Sequence, residues 1–250
     1  KRQGVITTVT GVSGCGKSSL VRNILYPALQ NELGIYENKP GDYTKIDGDV
    51  DSIDFVEFIN QNPIGRSSRS NPVTYIKAYD EIRNLFSNHK LSKQRGYKAK
   101  HFSFNVDGGR CDKCKGDGEI TIEMQFMADV HLMCDECKGS RFKREILDVK
   151  FSEKNIYDVL NMTINDSLEF FEKSNENKIY RKLLPLKNVG LGYVKLGQSS
   201  STLSGGEAQR IKLASFLGKA NQTKKGVFIF DEPTTGCLLY TSDAADDSDC

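Results

Sequence analysis

No apolar run in these 250 residues approaches the length of a membrane span, so a helical membrane protein is excluded as a reading. No stretch has the layout of a secretory signal. The chain opens at Lys1 without a methionine, and we expect its native N-terminus to lie upstream. Bulk charge is scarce as well: the formal net charge is +2, which by itself points to no acidic or basic partner. Apolar residues make up 38% of the chain, low but still globular. The length suits one large domain or two small ones.

A disulfide framework is also missing, although seven cysteines are present. Four of them fall in two C-x-x-C pairs, Cys15 sits in a glycine-rich loop, and two belong to an odd C-terminal tail. In a chain without an export signal this arrangement reads as metal binding in a reducing compartment. The pairs are Cys111-Asp112-Lys113-Cys114 and Cys134-Asp135-Glu136-Cys137, with nineteen residues between them. That spacing matches a zinc pattern in which two tight turns each offer two thiolates. Four sulfurs close a tetrahedron with no open position, so a structural rather than a catalytic zinc is expected. Gly116, Gly118 and Gly139 suit the turns. His131 lies between the pairs and is expected at the surface, outside the ligand set.

Gly11-Val12-Ser13-Gly14-Cys15-Gly16-Lys17-Ser18 fits the phosphate-loop pattern at every fixed position. Glycines let the backbone curl so that successive N–H groups face phosphate oxygens, and the following helix adds its positive end. Lys17 is expected to reach the β- and γ-phosphates of ATP, and Ser18 to bind Mg²⁺. Val5–Thr10 is expected as a buried strand before the loop. Ser19–Leu25 is expected as a helix, with Leu20, Ile24 and Leu25 on its apolar face.

A second glycine cluster reads Leu203-Ser204-Gly205-Gly206-Glu207 and opens an expected helix that buries Ile211, Ala214 and Leu217. Ser204, Gly205 and Gly206 at a helix start make a second candidate anion site. Gly226–Phe230 is an apolar strand followed by Asp231 and Glu232, at the edge where open α/β sheets bind ligands. Asp231 would hold Mg²⁺ and Glu232 would polarise water as general base.

Further elements are expected around these sites. Phe55–Ile59 reads as a strand, and Thr74–Ser87 as a helix with Ile76, Tyr79, Ile82, Arg83 and Phe86 spaced for one buried face. Glu119–Phe126 alternates like a strand, as does Leu147–Phe151. Thr163 opens a helix with an acid three residues on, and helices run to about Lys187, broken at Ser174–Asn177. From Lys90 to Lys115 there are eight Lys or Arg and only two acids, a candidate phosphate-contacting surface.

Phosphate loop, the glutamine Gln61 closing a strand, L-S-G-G-E and an Asp-Glu-Pro-Thr strand end, in this order, resemble an ATP-binding cassette. The Cys₄ insertion narrows the resemblance. So do Gln61-Asn62-Pro63-Ile64-Gly65-Arg66, Gly116-Asp117-Gly118 within that insertion, Val189–Tyr193 and Thr202–Leu213. Together they are similar to the UvrA family, the damage-sensing ATPases of bacterial nucleotide excision repair. Leu25–Leu29 is more like the second cassette of that family than the first. The resemblance covers Gly4 to Gly236.

It implies an α/β ATP-binding cassette, a P-loop NTPase with an inserted zinc module and a helical signature region, incomplete at both ends. It implies Gln61 at the metal and attacking water, Gly11, Gly14, Cys15 and Gly16 cradling phosphate, and ATP, Mg²⁺ and Zn²⁺ as cofactors. It also implies a cytoplasmic SOS-response protein that dimerises, recognises damaged double-stranded DNA and loads UvrB. In a cassette the phosphate loop is half of a site, completed by a signature from another cassette, so this chain alone is expected to bind ATP but hydrolyse it poorly. Expected divisions are 1–88 (phosphate and glutamine loops), 89–150 (zinc and DNA module) and 151–236 (signature region and Asp231 strand). Residues 237–250 depart from the family pattern and read as a non-native tail. Cys15 stands where the family usually has serine, which makes the loop an alkylation target. None of His89, His101 or His131 lies where a switch histidine belongs. A zinc-stabilised DNA-binding piece without ATPase activity is the alternative. A transporter subunit is disfavoured by the Cys₄ insertion.

Overall fold

The structure is a computed structural model that describes residues 5–60, 62–65, 67, 69–124, 129–219 and 225–231. Gln61, Glu232 and the tail from 237 lie outside the described residues. The chain divides into two compact units, one formed by the segments around 5–60 and 225–231, the other by 62–219.

In the first unit the chain turns helical at Lys17. It winds as a π-helix over Ser19–Leu25 and continues as α1, Tyr26–Glu32. The expected start is right but the expected face is not. Leu20 and Leu25 are exposed, and Val21, Tyr26 and Leu29 pack inward. A π-turn takes more residues than the 3.6 of an α-turn, so a face counted on α-spacing drifts off the core. β1, Phe55–Ile59, pairs in parallel with β4, Gly226–Phe230, Phe55 opposite Gly226 and Ile59 opposite Phe230. Leu29, Val56 and Ile229 are the buried centre of this unit. A Cβ on Gly226 would lie 2.0 Å from the tip of the Phe55 ring, so a side chain there would have to push that ring aside.

The buried strand expected at Val5–Thr10 does not form. Val5 and Ile6 are each 92% exposed, and no ladder includes them among the described residues. β-branched residues favour a strand only where neighbours on a sheet receive them. Among the described residues Val5–Thr10 has no such neighbour.

The second unit is mostly helical. Its helices are α2 (Pro72–Tyr75), α3 (Tyr79–Asn88), α4 (Lys90–Gln94), α5 (Arg144–Leu147), α6 (Ile156–Asn161), α7 (Ile164–Lys173), α8 (Asn177–Asn188) and α9 (Gly205–Lys219). One core joins them, with Ile82, Phe86, Phe102, Phe142, Phe171 and Leu183 fully buried. α6 and α7 start as the side chains dictate: Asn155 accepts from Asp158 N–H at 2.9 Å, and Thr163 accepts from Asp166 N–H at 3.1 Å.

Three expectations fail in this unit. The helix expected over Thr74–Ser87 splits, because Lys77 takes φ 58° while Ala78 and Lys77 N–H groups bond back to Val73 and Thr74 carbonyls. That is a Schellman ending made without glycine. The strand expected at Leu147–Phe151 is instead the end of α5 followed by a tight Phe151–Lys154 bridge, with Ser152 and Glu153 both at positive φ. Ile146 and Val149, three apart, are the residues that reach the core. In α9, Ile211 and Ala214 are buried as expected, whereas Leu217, near the helix end, is exposed.

Candidate nucleotide and metal sites

The two C-x-x-C turns are built alike. After Cys114 and Cys137, Lys115 and Lys138 turn left-handed at φ 51° and 49°, and Gly116 and Gly139 follow at positive φ. A Cβ on Gly116 would lie 2.0 Å from the Phe104 carbonyl oxygen, so the knuckle needs glycine for space as well as for its turn. Between the knuckles β2, Glu119–Ile122, and β3, Val130–Met133, form an antiparallel hairpin. Cys134 N–H donates to Gly118 O at 3.0 Å, which sets one knuckle against the other.

The result gathers Cys111, Cys114, Cys134 and Cys137, with all four sulfurs within 4.8 Å of one another. Cys111 Sγ and Cys134 Sγ are 3.9 Å apart, Cys114 Sγ and Cys137 Sγ 3.6 Å. A Zn–S bond of about 2.3 Å implies a tetrahedron edge of about 3.8 Å, so the donor set fits zinc in number, softness and spacing. Burial pushes the Cys137 thiol up to about 12 and raises Cys111 too, so a cation bound here displaces their protons. His131 stays outside, its Nδ1 3.1 Å from the Thr121 hydroxyl. The flanking ion pairs Lys113–Asp135 and Lys143–Asp112 are solvent-exposed and add little.

The phosphate loop is curled and exposed. Gly14 and Gly16 have φ 82° and 91°. Gly11 is closed to side chains, since a Cβ there would sit 2.8 Å from Cys15 Sγ. Lys17 Nζ folds over the loop and donates to the Gly11 and Val12 carbonyls at 2.7 and 2.8 Å, 3.7 Å from Cys15 Sγ. The ammonium is thus held at the mouth of the curl, with Ser18 at the start of the helix. In the same unit Asp231 follows β4, and its N–H donates to Ile59 O at 3.2 Å. A hydroxyl and a carboxylate are the hard oxygen donors that magnesium takes.

At the signature, Ser204 and Glu207 form a reciprocal capping box: Glu207 N–H donates to Ser204 Oγ at 3.2 Å, and Ser204 N–H to Glu207 Oε2 at 2.8 Å. Ser204 Oγ accepts there and keeps its own hydrogen to donate. Tyr193 Oη donates to Glu207 Oε1 at 2.7 Å, and Arg210 Nη2 lies 3.4 Å from Tyr193 Oη. Burial alone would raise the Glu207 pKa. The Tyr193 hydroxyl, the Ser204 N–H and Arg210 outweigh it and hold the carboxyl below its ordinary value. Sequence reading missed Tyr193 as a partner, although G-L-G-Y precedes the signature.

The basic stretch is partly self-neutralised. Arg95 pairs with Asp148, Arg110 with Asp107 and Lys113 with Asp135. Lys90, Lys93, Lys98, Lys100 and Lys115 are exposed and have no ion-pair partner among the described residues.

A phosphate-loop unit followed by a helical unit with a four-cysteine module is a mixed α/β architecture of the ATP-binding-cassette class. No protein-family model matches the chain. Known proteins do. UvrABC system protein A of Clostridium acetobutylicum is 56% identical over 240 residues, covering 96% of this chain and 25% of the relative. The protein of the same name from Staphylococcus aureus is 53% identical over 232 residues, covering 93% and 24%. Among solved structures, the crystal structure of UvrA2 from Deinococcus radiodurans superposes with a TM-score of 0.81 at 44% identity, covering 90% of this chain and 26% of that one. The chain belongs to the UvrA family and spans about a quarter of the length of the curated relatives it matches. Among the described residues no helix is long and apolar enough to cross a membrane.

Proposed function

We propose that the chain is the part of a nucleotide-excision-repair ATPase that carries a phosphate loop, a signature and a zinc module. The observation that supports this best is the 56% identity to UvrABC system protein A across a span holding all three. On this reading Gly11, Gly14, Cys15 and Gly16 wrap the phosphates of ATP, and Lys17 leaves its two loop carbonyls to meet the β- and γ-oxygens. Ser18 and Asp231 hold Mg²⁺, which supplies charge neutralisation at the phosphates. Gln61 orients the attacking water and Glu232 accepts its proton. Ser204, Gly205 and Gly206 serve a nucleotide on another cassette. Cys111, Cys114, Cys134 and Cys137 hold a structural zinc. The exposed lysines between Lys90 and Lys115 contact the backbone of damaged duplex DNA, with lesions sensed by deformability rather than base readout. The whole protein works in the cytoplasm as a homodimer that hydrolyses ATP and loads UvrB.

The test is Glu232→Gln in the full-length parent. Binding of ATP should persist while turnover at this site is lost; unchanged turnover removes Glu232 as the base. Zinc content is a second check, with one metal per chain expected under reducing conditions.

One observation favours a second reading for the chain by itself. Among the described residues Val5–Thr10 belongs to no ladder, so no sheet neighbour there backs the phosphate loop. A zinc-stabilised DNA binder without ATPase activity fits that. ATPase assays of the 250-residue chain with and without DNA separate the two.

A further inference from the structure

One partly buried ion pair ties the four-cysteine module to residues beyond it. Arg69 meets Asp117 through two parallel bonds, Nε to Oδ1 and Nη2 to Oδ2, each 3.0 Å, with both side chains 29% exposed. A bidentate fork of this kind fixes direction as well as distance. Asp117 lies inside the first knuckle: its N–H donates to Cys114 O at 3.0 Å, and the next N–H, that of Gly118, donates to Cys114 Sγ at 3.3 Å. Asp117 therefore sits on the turn that shapes a metal-binding sulfur.

The other end of the pair leads elsewhere. The carbonyl of Arg69 accepts from the side chain of Asn71, which is fully buried and caps α2. The carbonyl of Ser70 accepts from Ser200 N–H at 2.7 Å. Ser200 is itself buried, and its hydroxyl donates to Gly65 O at 3.0 Å. Gly65 and Ser70 are pressed together, since a Cβ on Gly65 would lie 2.0 Å from Ser70 Oγ. Ser200 opens the short 3₁₀ turn Ser200–Thr202, and Leu203 N–H bonds to Ser200 O just before Ser204. Hydrogen bonds, linked through the chain from Arg69 to Ser70, thus join Cys114 to the signature turn.

We propose that Arg69 is a positioning residue that makes metal loading of the four-cysteine module felt at the signature turn, Ser199–Ser204. With the knuckle closed on a metal, Asp117 is fixed and Arg69 is fixed with it. Ser70 then presents its carbonyl steadily to Ser200. With the knuckle open, Asp117 is released and the turn loses its anchor. The inference rests on the zinc reading above. The flanking Lys113–Asp135 pair, by contrast, joins one knuckle to the other.

The test is hydrogen exchange of the Ser199–Ser204 amides in the 250-residue chain, zinc-loaded and metal-stripped, with bound zinc counted by a chromophoric chelator. In the unaltered chain zinc should slow exchange at these amides. In Arg69→Ala and Asp117→Asn that zinc-dependent protection should be lost, with zinc affinity lowered by about tenfold or more. Asp135→Asn should keep it. Asp117→Asn keeps the side-chain shape and carries the test if Arg69→Ala fails to fold. Exchange that is indifferent to zinc in a chain binding one zinc overturns the coupling alone, as does protection that survives in both variants. A chain that binds no zinc overturns the coupling and the zinc reading together.

Discussion

Replacing Tyr193 by Phe removes one oxygen beside the signature, and with it the bond to Glu207 and the longer one from Arg210. That oxygen donates to Glu207 Oε1 at 2.7 Å, while Glu207 Oε2 accepts the Ser204 N–H that opens α9. A hydrogen bond to a charged acceptor is worth about 1.5–3 kcal/mol when well sheltered. Tyr193 is 58% exposed, so water replaces much of it and the expected loss is about 1 kcal/mol. Glu207→Gln weakens the same bond and the capping box, for a loss of about 1 kcal/mol. The two act through one contact, so the double variant should lose less than the sum, by roughly 0.5–1 kcal/mol. Urea unfolding followed by far-UV circular dichroism reads these values, with each kcal/mol lowering Tm by about 2–4 °C in a unit of this size. Acid supplies an independent check. Glu207 has a folded pKa below its unfolded value, so its contribution is present above about pH 4.3 and is lost as pH falls through the folded value. The gap between the unaltered chain and Glu207→Gln should therefore close in acid. Additive losses with a gap independent of pH would refute the clamp.

Three further outcomes are expected. Phe171→Ala empties a fully buried position and should cost about 3–5 kcal/mol, a large fraction of a domain's margin of about 5–15 kcal/mol, read as a shifted urea midpoint. Replacing Lys93, Lys98 and Lys100 by Ala should weaken duplex binding equally across sequences, and should flatten the plot of log affinity against log salt by about 0.9 for each lysine that touches phosphate; an unchanged slope removes them from the interface. Iodoacetamide should alkylate the exposed Cys15 and block ATP binding, because its sulfur lies against Gly11 and near Lys17 inside the curl. Cys15→Ser should bind ATP and resist the reagent, and full binding by the alkylated chain would place the phosphates elsewhere.

The four-cysteine cluster and the helix caps were legible in the sequence because both are built from local turns. Two thiolates from one turn need C-x-x-C, and the left-handed residues after each pair need glycine nearby. A side chain that caps its own helix sits three residues from its partner, as Thr163 does from Asp166. What failed was non-local or unmarked. Whether Val5–Thr10 forms a strand depends on partners far along the chain, and no ladder among the described residues includes it. The break at Lys77 uses a left-handed lysine, which no composition rule flags. The Arg69–Asp117 fork spans 48 positions and joins two residues that separately look solvated. Asp117 did lie in the Gly-Asp-Gly string that marked the family resemblance. The string carried the signal, but only the geometry gave it a partner.

The two units differ in what holds them, and that bears on function. The helical unit rests on a broad apolar core, and its functional turn hangs from that core by polar ties at Ser70, Ser200 and Glu207. The phosphate-loop unit has a small centre of Leu29, Val56 and Ile229 beneath a two-stranded parallel pair. Two strands are marginal without further packing. The loop itself buries no side chain and is shaped by glycine geometry and by Lys17 bonding its own carbonyls. A ligand that replaces those carbonyls as Lys17's partner supplies contacts this unit otherwise lacks. Mass action then requires ATP to stabilise this unit by about 2.7 kcal/mol at a hundred times its dissociation constant. Such a gain is a large fraction of what so small a core can provide. Nucleotide binding and folding of the phosphate-loop unit should be closely linked, while the helical unit, with its own core, should unfold at a midpoint that ATP leaves unmoved. A single transition shifted as a whole by ATP would show instead that the two cores melt together.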